Sequence, residues 1–222
     1  MIKLEHTEVY GWQAAIRGMR NAMNSWEKSD SVFDIYSIHI GANDHDLMMR
    51  LAKAGSDHRK YMRMIVVYLD ITAPIYWWKE FDTYKVGTVA NSTSTMHRIH
   101  AKELTVSDFS HEHLIQNEDL TCYSSEWLSP SEILKIIVTT LNGCRKAFVD
   151  SKDKKYWWQM IQLLPSSFNQ KRTVMLNYEV LRNMYHSRKN HKLDEWHTFC
   201  DWIECLPYSE IITGDIGHGE EE

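Results

Sequence analysis

Proline is rare in this chain, four in 222 residues, and each one falls where a periodic stretch changes character. A proline fixes its own φ, lacks an N–H and pushes the residue before it out of the helical region, so it limits where elements begin and end. In "VVYLDITAPIYWWKEF" the β-branched run before Ala73-Pro74 reads as a strand and the residues after it as a helix. Pro130 sits in the first turn of "SPSEILKIIVTTLNGCRKAFVDS", where Ser129 and Glu132 have capping-box spacing and Ile133, Ile136, Ile137 and Leu141 form a helical stripe. "DKKYWWQMIQLL" reads as a helix stopped by Pro165, and "LDEWHTFCDWIECL" as a final one before Pro207.

The first half repeats an order of strand then helix. "IKLEHTEVYG" reads as a short strand, and Trp12, Ile16, Met19 and Met23 recur at helical spacing after it. "VFDIYSIHIG" alternates like a single strand closed by Gly41, and "ANDHDLMMRLAKAG" like a helix capped by Asn43 or Asp44 and ended at Gly55. Residues 83–110 lack a clean period and read largely as loop. "NQKRTVMLNYEVLRNMYHSRKN" reads as one long amphipathic helix. With 43% hydrophobic and 25% charged residues the chain is apolar enough to build a core. These strands and helices read as one domain over residues 1–212, with an acidic, disordered tail over 213–222.

Several function classes drop out. A net charge of −5 argues against a general nucleic-acid binder. Cys122, Cys144, Cys200 and Cys205 make no CxxC pair, which excludes a zinc ribbon, gives no disulfide framework and fits a reducing cytoplasm. No stretch approaches the ~18 apolar residues of a membrane span, and the N-terminus has no signal pattern, so the expectation is a soluble cytoplasmic protein with no membrane partner. Among twelve histidines, "HRIH" and "HEH" come nearest to ligand spacing, but HExxH is absent and no thiolate or carboxylate cluster completes a shell, so no metal site is expected. GxGxxG, GxxxxGK[ST] and GxSxG are all missing.

The stretch "YWWKEFDTYKVGTVANSTSTMH", residues 76 to 97, runs from an aromatic opening into a tract where Thr, Ser and Asn crowd around Gly87. It reads either as a plain loop between packed elements or as the lining of a site for a polar ligand. Nine Trp and eleven Tyr exceed the needs of a minimal core, which suits stacking on a flat ligand and suits subunit contacts equally. Further on, an unbroken helix would bring Asn177 and Arg188 to about the same face, roughly 16 Å apart along its axis. The plainer alternative is Asn177 as a local cap and Arg188 as a solvated cation.

"QLLPSSFNQKRTVMLNYEVLRNMYHSRKNHKLDEW" resembles the C-terminal segment of the flavin-dependent thymidylate synthases, in which Leu-Pro is followed by an Asn-bearing helix, a second Asn, an Arg and Ala-Gln-Trp. Leu164-Pro165, Asn177, Asn183 and Arg188 fall in register, and Asp194-Glu195-Trp196 follows after one inserted residue. Upstream, "GSDHRKYMRMIVVYLDITAPIYWWKEFDTYK" is similar to the family's His-x-Ser-Pro-Phe-Glu-His segment leading through Ala-Pro-Ile to Arg-His-Arg, with His58 at the first His and Ala73-Pro74-Ile75 in step. The tract after it is similar to the signature Arg-His-Arg-x-x-Ser-x-Asn-x-x-Ser-x-Arg with one residue added, Thr88, Asn91 and Ser94 holding its polar positions. The resemblance as a whole covers about residues 10 to 205.

The resemblance implies an α+β fold with a central mixed or antiparallel sheet and several helices, assembled as a homotetramer with sites between subunits, in which FAD, with NADPH and methylenetetrahydrofolate as co-substrates, supports reductive methylation of a deoxyuridine nucleotide (dUMP to dTMP). It implies Arg188 and His58 as catalytic residues, the first activating the base and the second orienting groups near the flavin ring. Asn177, Asn183, Lys85, Thr88 and Asn91 would bind the cofactor, and Ser94, Thr95, Arg182 and Arg172 the substrate. The departures bear on that. Arg-His-Arg is Thr83-Tyr84-Lys85, and Met96, Ile161 and Glu179 stand where the family has arginines. Each lost charge-assisted contact to a dianion would cost about 2 to 3 kcal/mol unless Lys85, Lys171, Arg172 or Arg182 compensates. Two alternatives therefore stay beside the enzyme: a catalytically lapsed nucleotide-binding protein, a sensor or sequestering module, on the same scaffold, and a flavoenzyme acting on a different pyrimidine nucleotide.

Overall fold

The computed structural model describes the chain apart from residues 1, 35–36, 119, 124–125 and 215–222. In chain order the elements are β1 (Lys3–Tyr10), α1 (Trp12–Arg20), β2 (Val32–Phe33), β3 (Ile38–His39), α2 (Ala42–Lys53), β4 (Val66–Pro74), α3 (Ile75–Phe81), β5 (Val89–Ser92) and α4 (Thr95–Arg98). There follow β6 (Thr121–Tyr123), β7 (Glu126–Leu128), α5 (Pro130–Ser151), α6 (Lys154–Leu163), β8 (Asn169–Asn177), α7 (Tyr178–Arg188), α8 (Asp194–Glu204) and α9 (Glu210–Thr213). A four-stranded sheet has the order β1-β4-β8-β5, and β2–β3 and β6–β7 are antiparallel hairpins. This is the expected α+β class with a central sheet. No helix among the described residues is long and apolar enough to cross a membrane.

Contacts divide the chain into two compact units. One comprises Thr72–Phe81 and Ser92–Arg172. Its core is built from Leu134, Val138 and Leu141 of α5 and Met160 of α6, together with Ile99, Leu104 and Phe109. The capping box forms as expected: Glu132 accepts from the Ser129 N–H at 2.8 Å, and Ser129 Oγ accepts from the Glu132 N–H at 3.4 Å. Trp78 is fully buried and donates its indole N–H to Gln170 O at 2.9 Å.

The other unit comprises Leu4–Ile71, Asp82–Asn91 and the chain from Thr173 onward. Trp12 meets the ring of Tyr178 edge-on at 5.2 Å and that of Tyr208 at 5.3 Å, while the Tyr178 hydroxyl donates to Pro207 O at 2.7 Å. Arg182 is 2% exposed, and its Nη1 donates to Ile211 O at 3.1 Å and Ile212 O at 2.8 Å. A guanidinium thus satisfies the carbonyls of a four-residue helix that could not hold itself in place.

Three local expectations need correction. The single strand over residues 32–41 is a hairpin of two-residue strands, with Val32 opposite His39, and residues 35–36 lie outside the described chain. The cap of α2 comes from neither Asn43 nor Asp44. Both sit inside the first turn, and Asp30, brought over by the preceding loop, accepts from their N–H groups at 2.9 and 3.1 Å. Residues 83–110 are largely loop, as expected, with β5 and α4 as short elements inside them. The long helix over 169–190 is a strand followed by a helix, because Val174 and Leu176 are buried with an exposed Thr173 before them, a two-residue period that only a strand provides.

Asp44, freed from capping, becomes a buried anion. It is 0% exposed; Oδ1 accepts from Arg20 Nε at 2.6 Å, and Oδ2 from Ser29 Oγ at 2.7 Å and Ser31 Oγ at 2.6 Å. Burial alone would raise its pKa, but the hydrogen bonds from Ser31, Ser29 and Arg20, with the Arg20 charge, outweigh it and hold the carboxyl below the usual range. A depressed folded pKa contributes stability that is whole above the unfolded value of about 3.9 and is lost as pH falls through the folded value. Asp44→Asn is expected to cost about 3 kcal/mol at pH 7, read as a fall in the urea midpoint, and to flatten the loss of stability below about pH 4.

Candidate functional site

The strand period of β8 decides which of its side chains can meet a ligand. Asn169 and Lys171 share a face, and both line a cavity of about 240 Å3 in the first unit, together with Thr72, Ser94, Thr95 and Arg98. Neighbouring Gln170 and Arg172 do not line it: Arg172 Nε donates to Gln170 Oε1 at 3.0 Å and its guanidinium lies 4.1 Å from the Trp78 ring centroid. The cavity wall carries three cations, Arg98, Lys102 and Lys171, against the single carboxylate of Asp108. Lys102 pairs with Asp108, whose carboxyl is held below its ordinary pKa because that contact and the Thr105 N–H outweigh the effect of burial. The surplus is positive, and the concave shape focuses it.

Hydroxyls complete the lining. Ser94 caps the short α4, its Oγ accepting from the His97 N–H at 3.2 Å. Thr95 Oγ1 accepts from Gln170 Nε2 at 3.3 Å, and the Thr93 N–H donates to Lys171 O at 2.9 Å, fixing the loop against the strand. The carboxamide oxygen of Asn169 is buried with no hydrogen-bond partner among the described residues.

The second unit holds the other candidates around the start and end of α7. Asn177, 7% exposed, closes β8 with extended backbone and caps α7: its Oδ1 accepts from the Val180 N–H at 2.9 Å, and its Nδ2 donates to Gly87 O at 3.4 Å. Thr88 Oγ1 donates to Tyr84 O at 2.8 Å and tightens the same loop. At the far end of α7, Arg188 Nε donates to the Tyr84 hydroxyl at 3.0 Å, and the guanidinium stands 5.0 Å from the Trp196 ring and 5.6 Å from that of Tyr84. Two aromatic faces and a phenol oxygen therefore fix its plane. Lys85, Asn91 and Asn183 are exposed.

Other candidates lie elsewhere. His58 is exposed and lines a separate hollow of about 430 Å3 with Asn21, Lys60 and Tyr61. The hydrogen bonds of Arg182 to α9 give it a structural task. Glu179, at a position where the family resemblance has an arginine, pairs with Arg59 at 3.1 Å, with both side chains largely buried. Among the described residues no group of three or more His, Cys, Asp and Glu side chains could hold a metal ion. Sequence reading missed Asn169, Arg98 and Lys102 in the cavity and Tyr84 as the partner of Arg188. Reading residues 169–177 as a strand would have exposed the first, since Asn169 and Lys171 stand two apart.

No protein-family model matches this chain, and no curated protein matches it. Solved structures do. Thymidylate synthase X from Helicobacter pylori, determined with FAD and dUMP, aligns with a TM-score of 0.67 at 15% identity over 98% of this chain and 100% of its own. PolB from Streptomyces cacaoi, a UMP/dUMP methylase, aligns with a TM-score of 0.63 at 13% identity in its 5-bromo-UMP complex, over 98% of this chain and 96% of its own. Its 5-bromo-dUMP complex gives a TM-score of 0.59 at 12% identity, over 96% and 93%. The fold is that of thymidylate synthase X and these methylases.

Gly87 is the point where the loop meets α7. Its φ is +81°, and a Cβ there would stand 2.7 Å from Asn177 Nδ2 and 3.2 Å from Val180 Cγ2. Gly87→Ala is expected to destabilise the chain by about 2 kcal/mol through left-handed strain and overpacking, measured as a lower denaturant midpoint with an unchanged m value.

Proposed function

We propose that this chain is a flavin-dependent methylase of a uridine nucleotide, converting dUMP to dTMP with NADPH as reductant and methylenetetrahydrofolate as one-carbon donor. The observation that carries the reading is the cavity of Ser94, Thr95, Arg98, Asn169 and Lys171: cations and hydroxyls in a concave wall, the chemistry that takes a phosphate and its sugar. It occurs in a chain whose structural neighbours include enzymes crystallised with dUMP or its bromo analogue. Lys171 and Arg98 would neutralise the phosphate, with Ser94 and Thr95 as hydroxyl partners. Lys supplies only a point charge where arginine supplies a fork, so this site would hold phosphate less rigidly than an arginine-lined one.

The groups near α7 suit a flavin dinucleotide. The ammonium of Lys85 and the amides of Asn91 and Asn183 are solvent-facing donors of the kind a diphosphate takes, all three exposed. Asn177 has both ends of its amide engaged, so its part is to shape the turn at Gly87. Held there and reduced by NADPH, the flavin would supply the hydride that turns the transferred methylene into a methyl group. Arg188, its plane set by Tyr84 and Trp196, would stabilise charge developing on a pyrimidine carbonyl, an electrostatic task that needs a fixed guanidinium. His58 would act beside the flavin ring. A homotetramer with sites between subunits belongs to the same reading.

The lapsed binding protein has one observation in its favour: Glu179 and Arg59 neutralise each other at a position the family resemblance gives to a cation. A different pyrimidine nucleotide has another, since the PolB neighbours are methylases of UMP as well as dUMP. Tritium release from 5-tritiated dUMP and UMP, with FAD-loaded protein, NADPH and methylenetetrahydrofolate, separates the three. Release from dUMP, falling about 10² to 10³-fold in Arg188→Ala while nucleotide binding persists, is the expected result. Release from UMP alone moves the substrate, and nucleotide binding without release from either supports the binding protein.

A further inference from the structure

The cavity holds one polar atom with nothing to do. Asn169 Oδ1 is buried, without a hydrogen-bond partner among the described residues, in a wall that also carries Ser94, Thr95, Arg98 and Lys171. Leaving a buried acceptor unsatisfied carries a desolvation penalty, and native proteins keep few such groups. The face that Asn169 shares with Lys171 points at the cavity, and the side chain has no hydrogen bond to break when it turns about χ2, a soft torsion for an amide. A turn about χ2 that exchanges the two ends of the amide would bring the oxygen onto the cavity surface.

We infer that the carboxamide oxygen of Asn169 accepts a hydrogen bond from a pentose hydroxyl of the bound nucleotide, which makes Asn169 a specificity-determining residue. The inference rests on the nucleotide reading of this cavity and adds to it a sugar contact. Size decides which part of the ligand Asn169 meets. At about 240 Å3 the space falls below the ~300–1,000 Å3 of a pocket that swallows a whole small molecule, so it holds the phosphate and the ring attached to it. The lining agrees: Lys171 and Arg98 supply charge, while Phe168, Ile99 and Leu104 supply apolar surface that suits ring carbons rather than a second anion. A phosphate offers only acceptors and cannot satisfy an amide oxygen. A sugar hydroxyl beside it can donate.

The test is a cycle of equilibrium binding with two ligands and two proteins. The ligands are dUMP, which keeps one sugar hydroxyl, and 2′,3′-dideoxyuridine monophosphate, which keeps none. The proteins are the wild-type chain and Asn169→Leu, with circular dichroism and thermal melting as the check on folding. Wild-type protein is expected to bind dUMP about tenfold more tightly than the dideoxy analogue, and Asn169→Leu to bind both equally, near the wild-type affinity for the analogue. Equal binding of both ligands by the wild-type chain overturns the assignment, and that arm needs no variant to fold. So does a variant that weakens the two ligands by the same factor. Lys171→Ala separates this failure from that of the underlying reading: if it weakens dUMP and the analogue alike, the cavity is the nucleotide site and only Asn169 was misassigned. Failure of the wild-type chain to bind dUMP or UMP overturns the nucleotide reading and the Asn169 assignment with it.

Discussion

The hydrogen bond from the Val180 N–H to Asn177 Oδ1 marks the point where an extended chain becomes a helix, and the positions of the candidate residues follow from it. Before it, side chains alternate with a period of two, so Asn169 and Lys171 share the cavity wall while Arg172 is spent on Trp78. After it, the period is 3.6, so buried Leu181 and Met184 hold α7 in place and Arg188 emerges at the helix end against Tyr84 and Trp196. A cap replacement such as Ala would remove about 1 kcal/mol. The same amide reaches Gly87, where no side chain fits, so the loop and the helix start are fixed together.

Arginines in this chain take different tasks according to what they meet, and sequence position alone does not distinguish them. Arg182 is buried on the carbonyls of Ile211 and Ile212, where losing its charge would leave those oxygens unsatisfied. Arg20 holds a buried carboxylate, Arg59 neutralises Glu179, and Arg172 stacks on an indole. Arg188 is half-buried, with the rings of Tyr84 and Trp196 beside its guanidinium and its Nε donating to the Tyr84 hydroxyl.

Much of the architecture was legible because the signals were local. The β4–α3 break at Pro74, the capping box of α5 and the stop before Pro165 each rest on a backbone constraint that neighbouring residues cannot override. The failures were of two kinds. At residues 169–190 two periods run into each other without a proline or glycine between them, and Val174, Leu181 and Met184 happen to suit a continuous helix, which hid the strand. At α2 the capping group, Asp30, lies outside the helix, so Asp44 was credited with a local role and its pairing with Arg20 went unseen. The candidate site was readable in part: Ser94, Thr95 and Lys171 do meet in one cavity, whereas Asn169 depended on the strand that had been missed. The burial of Arg182 under α9 is a tertiary fact with no sequence signal at all.

The central claim is that the cavity of the first unit receives the phosphate and sugar of a uridine nucleotide. Crystals grown with FAD and 5-bromo-2′-deoxyuridine monophosphate test it most directly, since anomalous scattering from bromine fixes the base and leaves no doubt about the direction of the ligand. The account predicts phosphate density within hydrogen-bonding distance of Lys171 and Ser94, with the deoxyribose against Asn169. Well-defined nucleotide density bound elsewhere, with solvent between Lys171 and Ser94, would contradict it.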